Sequence, residues 1–464
     1  MNRKSVAGGA SLMLLLFALV AAVLLAAIIG HVLMRVPLAF NDNFEEIVDV
    51  YRTPLSLSLA HEFVDPGAYF RPLEIVWRYL IAYGFGEGIF GYNVFAAICV
   101  SLVATAFALL CHPRKGRDLA AFLVALAVLI GHHATQATWE FNIIISNGVV
   151  LAAGIIAIGL ISRPATLVGQ ICAVLLTAIC LLTKEVGLVV AGVFVFAHLL
   201  QMPGVRRTTA IVIALMVAAY LSFHFYTLPD LSTTDKGKAT NAIDYLSNVM
   251  ATIVMFWIGL PFDGIWANSS RFIERPWQWV QIAAGLATLL LLICAWRLAP
   301  RPAECEQCDA PYLDRRWFVL FGAALLACAA LGFYYTRHRH GAPAVPLLAY
   351  CTYLSMRVLL WRLDCLGTSS TARPSSLLAW MTVAGLVCAL IWPLRVVAGF
   401  EFARALGGTA RARWHDDMPA YWNKLEQRPF LVPFSVSVDM MPWPRKHVSI
   451  LGLFEKSASS SVNR

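Results

Sequence analysis

Charge is what this sequence has least of. Only 14% of its 464 residues are Asp, Glu, Lys or Arg, against roughly 25% in soluble domains, and so little charge excludes a soluble globular enzyme. The short alternating strands of a membrane barrel are also missing. So are internal repeats, a glycine-rich phosphate loop and a soluble catalytic domain, and no CxxC pairs with a second CxxC as a zinc ribbon requires. What fills the chain is apolar: 59% of residues are of the AVILMFWYC set and mean hydropathy is +0.69. Runs such as SLMLLLFALVAAVLLAAIIG are apolar on every side and reach the roughly 20 residues that cross a bilayer core. The fold class expected is an all-α polytopic membrane protein.

The first run, 6–34, follows Arg3 and Lys4 and is too long for a signal-peptide h-region, so it is read as an uncleaved span. Further runs lie near 89–111, 119–134, 143–161, 165–182, 186–202, 208–228, 278–297, 317–335, 343–361 and 377–397, about eleven spans in all. The 36 Lys and Arg against 27 Asp and Glu give a net charge of +9, which in such a chain is first a topology signal and not a nucleic-acid footprint. Arg3/Lys4, Arg114/Lys115/Arg117, Arg163, Arg206/Arg207, Arg297/Arg301/Arg315/Arg316 and Arg362/Arg373 fall on one side if the N-terminus is cytoplasmic. The run ATIVMFWIGLPF at 251–262 is short and ends in Pro261; counted as a span it would turn Arg297–Arg316 outward, so it is read as a re-entrant or interfacial helix. Residues 1–400 then form a transmembrane domain with long outer loops at 35–88 and 229–277, and 401–464 form a short outer tail.

None of the eleven cysteines falls in an expected outer loop, which argues against a disulfide framework. Cys305 and Cys308, the sole CxxC, lie in an expected cytoplasmic loop without the partners of a metal or redox motif.

Ionisable residues at the ends of spans are costly unless they are used or paired, and here they gather on the outer side. FNDNFEEI sets Asp42, Glu45 and Glu46 just after the first span. These carboxylates fit a base or cation ligand, and equally a solvated cap on an interfacial helix. In YFRPL, Arg71 precedes Pro72; a guanidinium there suits bidentate phosphate binding, or a snorkelling anchor, or the partner of a loop carboxylate. Trp77, Tyr79 and Tyr83 read as interfacial belt aromatics. GHHATQATWEFN brings His132, His133, Glu140 and Asn142 to the same side, with the expectation that adjacent histidines do not point into one site. A His and Glu pair there suits a metal ligand or proton carrier, or plain interfacial polarity. LLTKEVGLV places Lys184 and Glu185 in a junction between spans: a tight turn, or a cation for an anionic ligand with a carboxylate to orient it. YYTRHRHGAP adds Arg337, His338, Arg339 and His340 on the outer side, against the charge rule, so an anion such as a lipid phosphate or pairing with Asp42, Glu45 or Glu185 must explain them.

The ordered set NDNF, YFRPL, GYN, TWEFN, LLTKE and YYTRHRH over residues 1–345 resembles the GT-C superfamily of multi-spanning glycosyltransferases, and within it the transmembrane O-mannosyltransferase-like branch. The resemblance implies a polyprenyl-phosphate-linked sugar as donor; an envelope glycan, lipid or protein as acceptor; membrane lipids as surroundings; and no nucleic acid. It implies Asp42 as the catalytic base of an inverting displacement, Arg71, Lys184, Arg337 and Arg339 as donor-phosphate ligands, and Glu185, His133 and Glu140 in support. No cofactor is certain. The family's second acidic residue is Asn43 here, leaving Glu45 and Glu46 as the candidate ligands for any divalent metal. With no organellar targeting signal in the chain, the resemblance also implies a bacterial inner membrane with the site on the periplasmic side. A transporter or flippase for a lipid-linked sugar would need similar cations, but the internal halves and broken helices of such proteins are not evident.

Overall fold

A computed structural model describes residues 3–33, 54–64, 70–85, 89–135, 144–227, 241–258, 276–299, 311–331, 338–368, 381, 383–385 and 387–396, and these are 88% helical with no strand among them. In chain order the helices are α1 (Arg3–Leu33), α2 (Leu55–Val64), α3 (Pro72–Phe85), α4 (Ile89–Cys111), α5 (Gly116–Gly131), α6 (Ile144–Ile161), α7 (Leu167–Thr183), α8 (Gly187–Leu199), α9 (Arg207–Thr227), α10 (Ala242–Ile258), α11 (Pro276–Leu298), α12 (Arg316–Leu331), a 3-10 helix at His338–Ala344, and α13 (Val345–Thr368). A last helical stretch covers 387–396. Two segments, Trp279–Leu298 and Gly341–Cys365, are long and apolar enough to cross a membrane, and shorter apolar helices accompany them.

The packing of α1 shows why these helices suit an apolar surrounding. Its Ala18, Ala22 and Ala26 are fully buried, while Leu12, Met13, Leu16, Phe17, Val20, Val23, Leu24 and Ile28 are all more than half exposed. Small residues four apart let α1 approach α4 closely. The large side chains that a water-soluble protein would bury stand outside.

Inside the bundle, Thr177, Thr288 and Thr352 hydroxyls donate to the carbonyls of Ala173, Ala284 and Leu348, four residues back, at 2.8–2.9 Å. That spends their polarity locally, as an apolar interior requires. Trp392 Nε1 donates to the same Thr288 hydroxyl at 2.7 Å and ties the last helical stretch to α11. Gly285 permits α10 and α11 to touch backbone to backbone: a Cβ there would strike the Trp257 carbonyl.

Helix ends are sorted. Arg357 Nε donates to Asp118 Oδ1 at 2.8 Å and Tyr353 Oη to the Cys111 carbonyl at 2.8 Å, bringing α13 to the junction of α4 and α5. Arg362 reaches the Leu298 carbonyl, Arg315 stacks over Trp296, and Arg316 Nη1 donates to the Gln201 carbonyl at 2.8 Å. Gln170 Nε2 donates to the Gly204 carbonyl at 2.7 Å and its Oε1 accepts from Arg206 N at 2.9 Å. One end of the bundle is therefore arginine-rich, and Lys184 and Glu185, in the turn at the far end of the α7–α8 hairpin, are at the opposite end.

Two expectations are corrected here. The helix expected at 251–262 runs over Ala242–Ile258, starting earlier because Asn241 Oδ1 accepts from Ile243 N and Asp244 N at 3.0 and 2.9 Å and caps it. Tyr79, read as a belt aromatic, is buried, and its hydroxyl pairs with Ser58 Oγ at 2.8 Å, joining α3 to α2.

Candidate functional site

The site is built on the first turn of α3. Pro72 opens the helix, where its missing N–H costs nothing, and leaves Arg71 just outside with its carbonyl accepting from Glu74 N at 3.0 Å. Arg71's own N–H donates to Glu62 of α2. Phe70 beside it packs with Leu181 and Tyr220, and its ring lies 4.6 Å from Phe223 and 5.3 Å from Phe63. An apolar plug thus fixes the backbone that carries the guanidinium.

The second half comes from the α7–α8 turn. Lys184 N donates to the Cys180 carbonyl at 3.0 Å, and Gly187 N to the Lys184 carbonyl at 2.8 Å. A Cβ on Gly187 would collide with the Cys180 carbonyl, so only glycine lets the hairpin close this tightly. The turn presents Glu185 to Arg71. Arg71 Nε donates to Glu185 Oε1 at 2.7 Å and Nη2 to Oε2 at 2.8 Å, a bidentate pair between residues 114 apart in sequence.

The network extends along α3. Arg71 Nη1 donates to Glu74 Oε2 at 3.2 Å, and Arg78 Nη2 to Glu74 Oε1 at 3.0 Å. Burial opposes ionisation of Glu74, but the charges of Arg71, Arg78 and Lys184 and the Arg78 hydrogen bond outweigh it and hold its carboxyl down to about 2. Glu62 goes the other way: burial pushes its carboxyl up despite the Arg71 N–H and charge. Glu62, Glu74 and Glu185 face Arg71, Arg78 and the buried Lys184, and protonation of Glu62 tips that balance toward positive charge. Arg71 Nε, Nη1 and Nη2 each donate to a carboxylate oxygen, so all three guanidinium nitrogens are held.

Arg71, Lys184 and Glu185 thus come together, with Arg71 in the carboxylate-paired form of its alternatives. His133 lies elsewhere, half-buried at the end of α5. Its ring is 4.3 Å from that of His132, contrary to the expectation that the two diverge. His132 is the first residue after α5, with extended backbone at φ −65°, ψ 133°. His132 itself is packed against Phe256 at 4.6 Å and Trp392 at 6.1 Å, and its Nδ1 accepts from Ala134 N at 3.2 Å, a structural arrangement. Gly341 of the 3-10 helix also rests on Phe256. Arg339 falls in that 3-10 helix, and its side chain lies outside the described residues. Asp42, Glu45, Glu46, Glu140, Arg337, the Cys305–Cys308 pair and the tail 401–464 also lie outside them.

Glu74 and Arg78 were not singled out by the sequence reading. The signal was available in the 71, 74, 78 spacing, which puts all three on one helix face. Among the described residues no three His, Cys, Asp or Glu form a metal-holding group. The chain matches no family model, no curated protein and no solved structure.

Proposed function

We propose that this chain is a membrane glycosyltransferase of GT-C type, with about eleven spans, a cytoplasmic N-terminus and a periplasmic site in a bacterial inner membrane. It moves a sugar from a polyprenyl-phosphate donor to an acceptor hydroxyl. The observation that carries the reading is the convergence of Arg71 and the Lys184–Glu185 turn into one largely buried charge cluster at the end of an apolar bundle away from its arginine-rich end. Charges so placed in such a chain need a use.

In the proposed reaction the acceptor oxygen attacks the anomeric carbon as the bond from that carbon to the phosphate oxygen breaks. The electron pair leaves with polyprenyl phosphate, and the hydroxyl proton passes to Asp42. Lys184 and the Arg71 guanidinium stabilise the charge that grows on the phosphate, an effect strengthened where water is excluded. Glu185 fixes the guanidinium plane. Arg337 and Arg339 add to the phosphate site, with His133 and Glu140 in support.

The test is transfer of radiolabel from a panel of polyprenyl-phosphate hexoses to a delipidated envelope fraction, with purified wild type beside Lys184→Ala. Transfer by wild type, with a donor KM raised at least tenfold in Lys184→Ala, is the expected result. No transfer from any donor, with flipping of a lipid-linked sugar in vesicles, would replace the enzyme by a transporter.

A further inference from the structure

At the arginine-rich end, α11 and α12 leave a cleft between them. α11 packs on α10 and α13, and α12 on α8, α10, α13 and the 3-10 helix; the cleft lies between the last turns of α11 and the start of α12. The cleft encloses about 510 Å³, within the roughly 300–1,000 Å³ of small-ligand sites. Its walls are Leu292, Ile293, Trp296 and Phe318, and its mouth carries Arg297 and Arg315. The Trp296 and Phe318 rings meet edge to face at 5.6 Å and floor it.

Among the described residues, no carboxylate pairs with the charge at the mouth. Asp314, the nearest carboxylate in sequence, is held by Arg316, whose Nη2 donates to Oδ2 at 2.7 Å and Nε to Oδ1 at 2.9 Å. Arg315 instead lies over the Trp296 ring at 5.3 Å and donates to its carbonyl at 3.4 Å. Among the described residues no ion pair engages Arg297 or Arg315. Both are exposed, as is Ile293 on the outer lip, so the cleft opens sideways onto the apolar face of the bundle and upward onto the basic end.

An apolar slot along the helices with two guanidiniums at its polar end has the shape and charge of one molecule class. We propose that this cleft binds an anionic glycerophospholipid, one acyl chain lying along Leu292, Ile293 and Phe318 and the headgroup phosphate between Arg297 and Arg315. A free phosphate would use only the arginines, and a zwitterionic lipid would present its cation to them. The site is at the opposite end from the Arg71–Glu185 cluster and does not rest on the glycosyl-transfer reading.

The experiment is native mass spectrometry of the delipidated full-length protein titrated with phosphatidylglycerol, with phosphatidylcholine of the same chains, and with glycerol phosphate. Wild type is expected to retain one phosphatidylglycerol preferentially and no glycerol phosphate. Arg297→Gln with Arg315→Gln should reduce that preference roughly tenfold to thirtyfold, the effect of two arginines at a lipid surface. Ile293→Trp, which keeps both charges and fills the slot, should reduce occupancy as well. Arg163→Gln with Arg206→Gln, at the same end but outside the cleft, should change neither. An equal loss in that control pair would mean a diffuse basic surface and overturn the site. A chain-borne diazirine on phosphatidylglycerol should label 292–297 and 318 in preference to exposed Leu215 of α9, and uniform labelling would overturn it too.

Discussion

Replacing Glu74 by Gln is expected to destabilise the protein near neutral pH and to flatten its response to acid. The carboxylate is almost wholly buried, bound at 3.2 and 3.0 Å by Arg71 and Arg78, and held from its ordinary 4.5 down to about 2. At about 1.4 kcal/mol per unit, that is roughly 3 kcal/mol of folded-state stability. Because the folded value lies below the unfolded one, the contribution is complete above about 4.5 and is lost as pH falls toward 2. Glu62, pushed upward, has the opposite sign: its contribution is present at low pH and fades as pH rises through its raised value. The informative quantity is therefore the difference between wild type and Glu74→Gln at each pH. Thermal unfolding in detergent, followed by tryptophan fluorescence between pH 7 and pH 3, should show a gap that is widest at pH 7 and closes below about 4.5. A gap that is constant across the range, or absent at pH 7, would refute the assignment of Glu74 as an ionised anchor.

Gly187→Ala should cost about 1–3 kcal/mol, because its Cβ meets the Cys180 backbone and cannot be relieved by a side-chain rotation. Gly192→Ala, in the same helix with nothing within 4 Å, should be neutral or stabilising by up to about 1 kcal/mol; thermal unfolding of the pair decides. At the other end, Arg357→Gln should cost about 1–3 kcal/mol by removing the charged partner of Asp118 Oδ1 while Oδ2 keeps its two backbone donors. Adding Asp118→Asn should recover part of that loss, and an additive double variant would show that the two are not coupled.

Helices were legible where apolar runs had clean ends. Arg114 and Lys115 mark the turn before α5, where Asp118 Oδ2 accepts both backbone N–H groups at 3.2 and 3.1 Å, and α4 lies at Ile89–Cys111 as its apolar run indicates. The start of α10 is not legible because its first two turns, AIDYLSNV, are mixed in polarity and only the Asn241 cap announces them. The site was legible as a set of residue types and not as a set of bonds. Arg71, Lys184 and Glu185 stood out because charge is expensive in such a chain, but the choice of Glu185 as Arg71's bidentate partner depends on how α3 meets the α7–α8 hairpin, a long-range contact that no local pattern encodes. Glu74 was hidden for a related reason: on its own it reads as an acidic residue favoured in a first helical turn. Its burial between two arginines is a property of packing.

The measurement that bears most directly on the proposed chemistry is transfer by Asp42→Asn, with donor binding measured in parallel on the same purified protein. The expected result is unchanged donor binding with most transfer lost, because the amide keeps the size of the side chain and cannot accept the hydroxyl proton at neutral pH. Full transfer by Asp42→Asn would remove Asp42 as the base, and transfer by neither protein, with donor bound by both, would contradict glycosyl transfer itself.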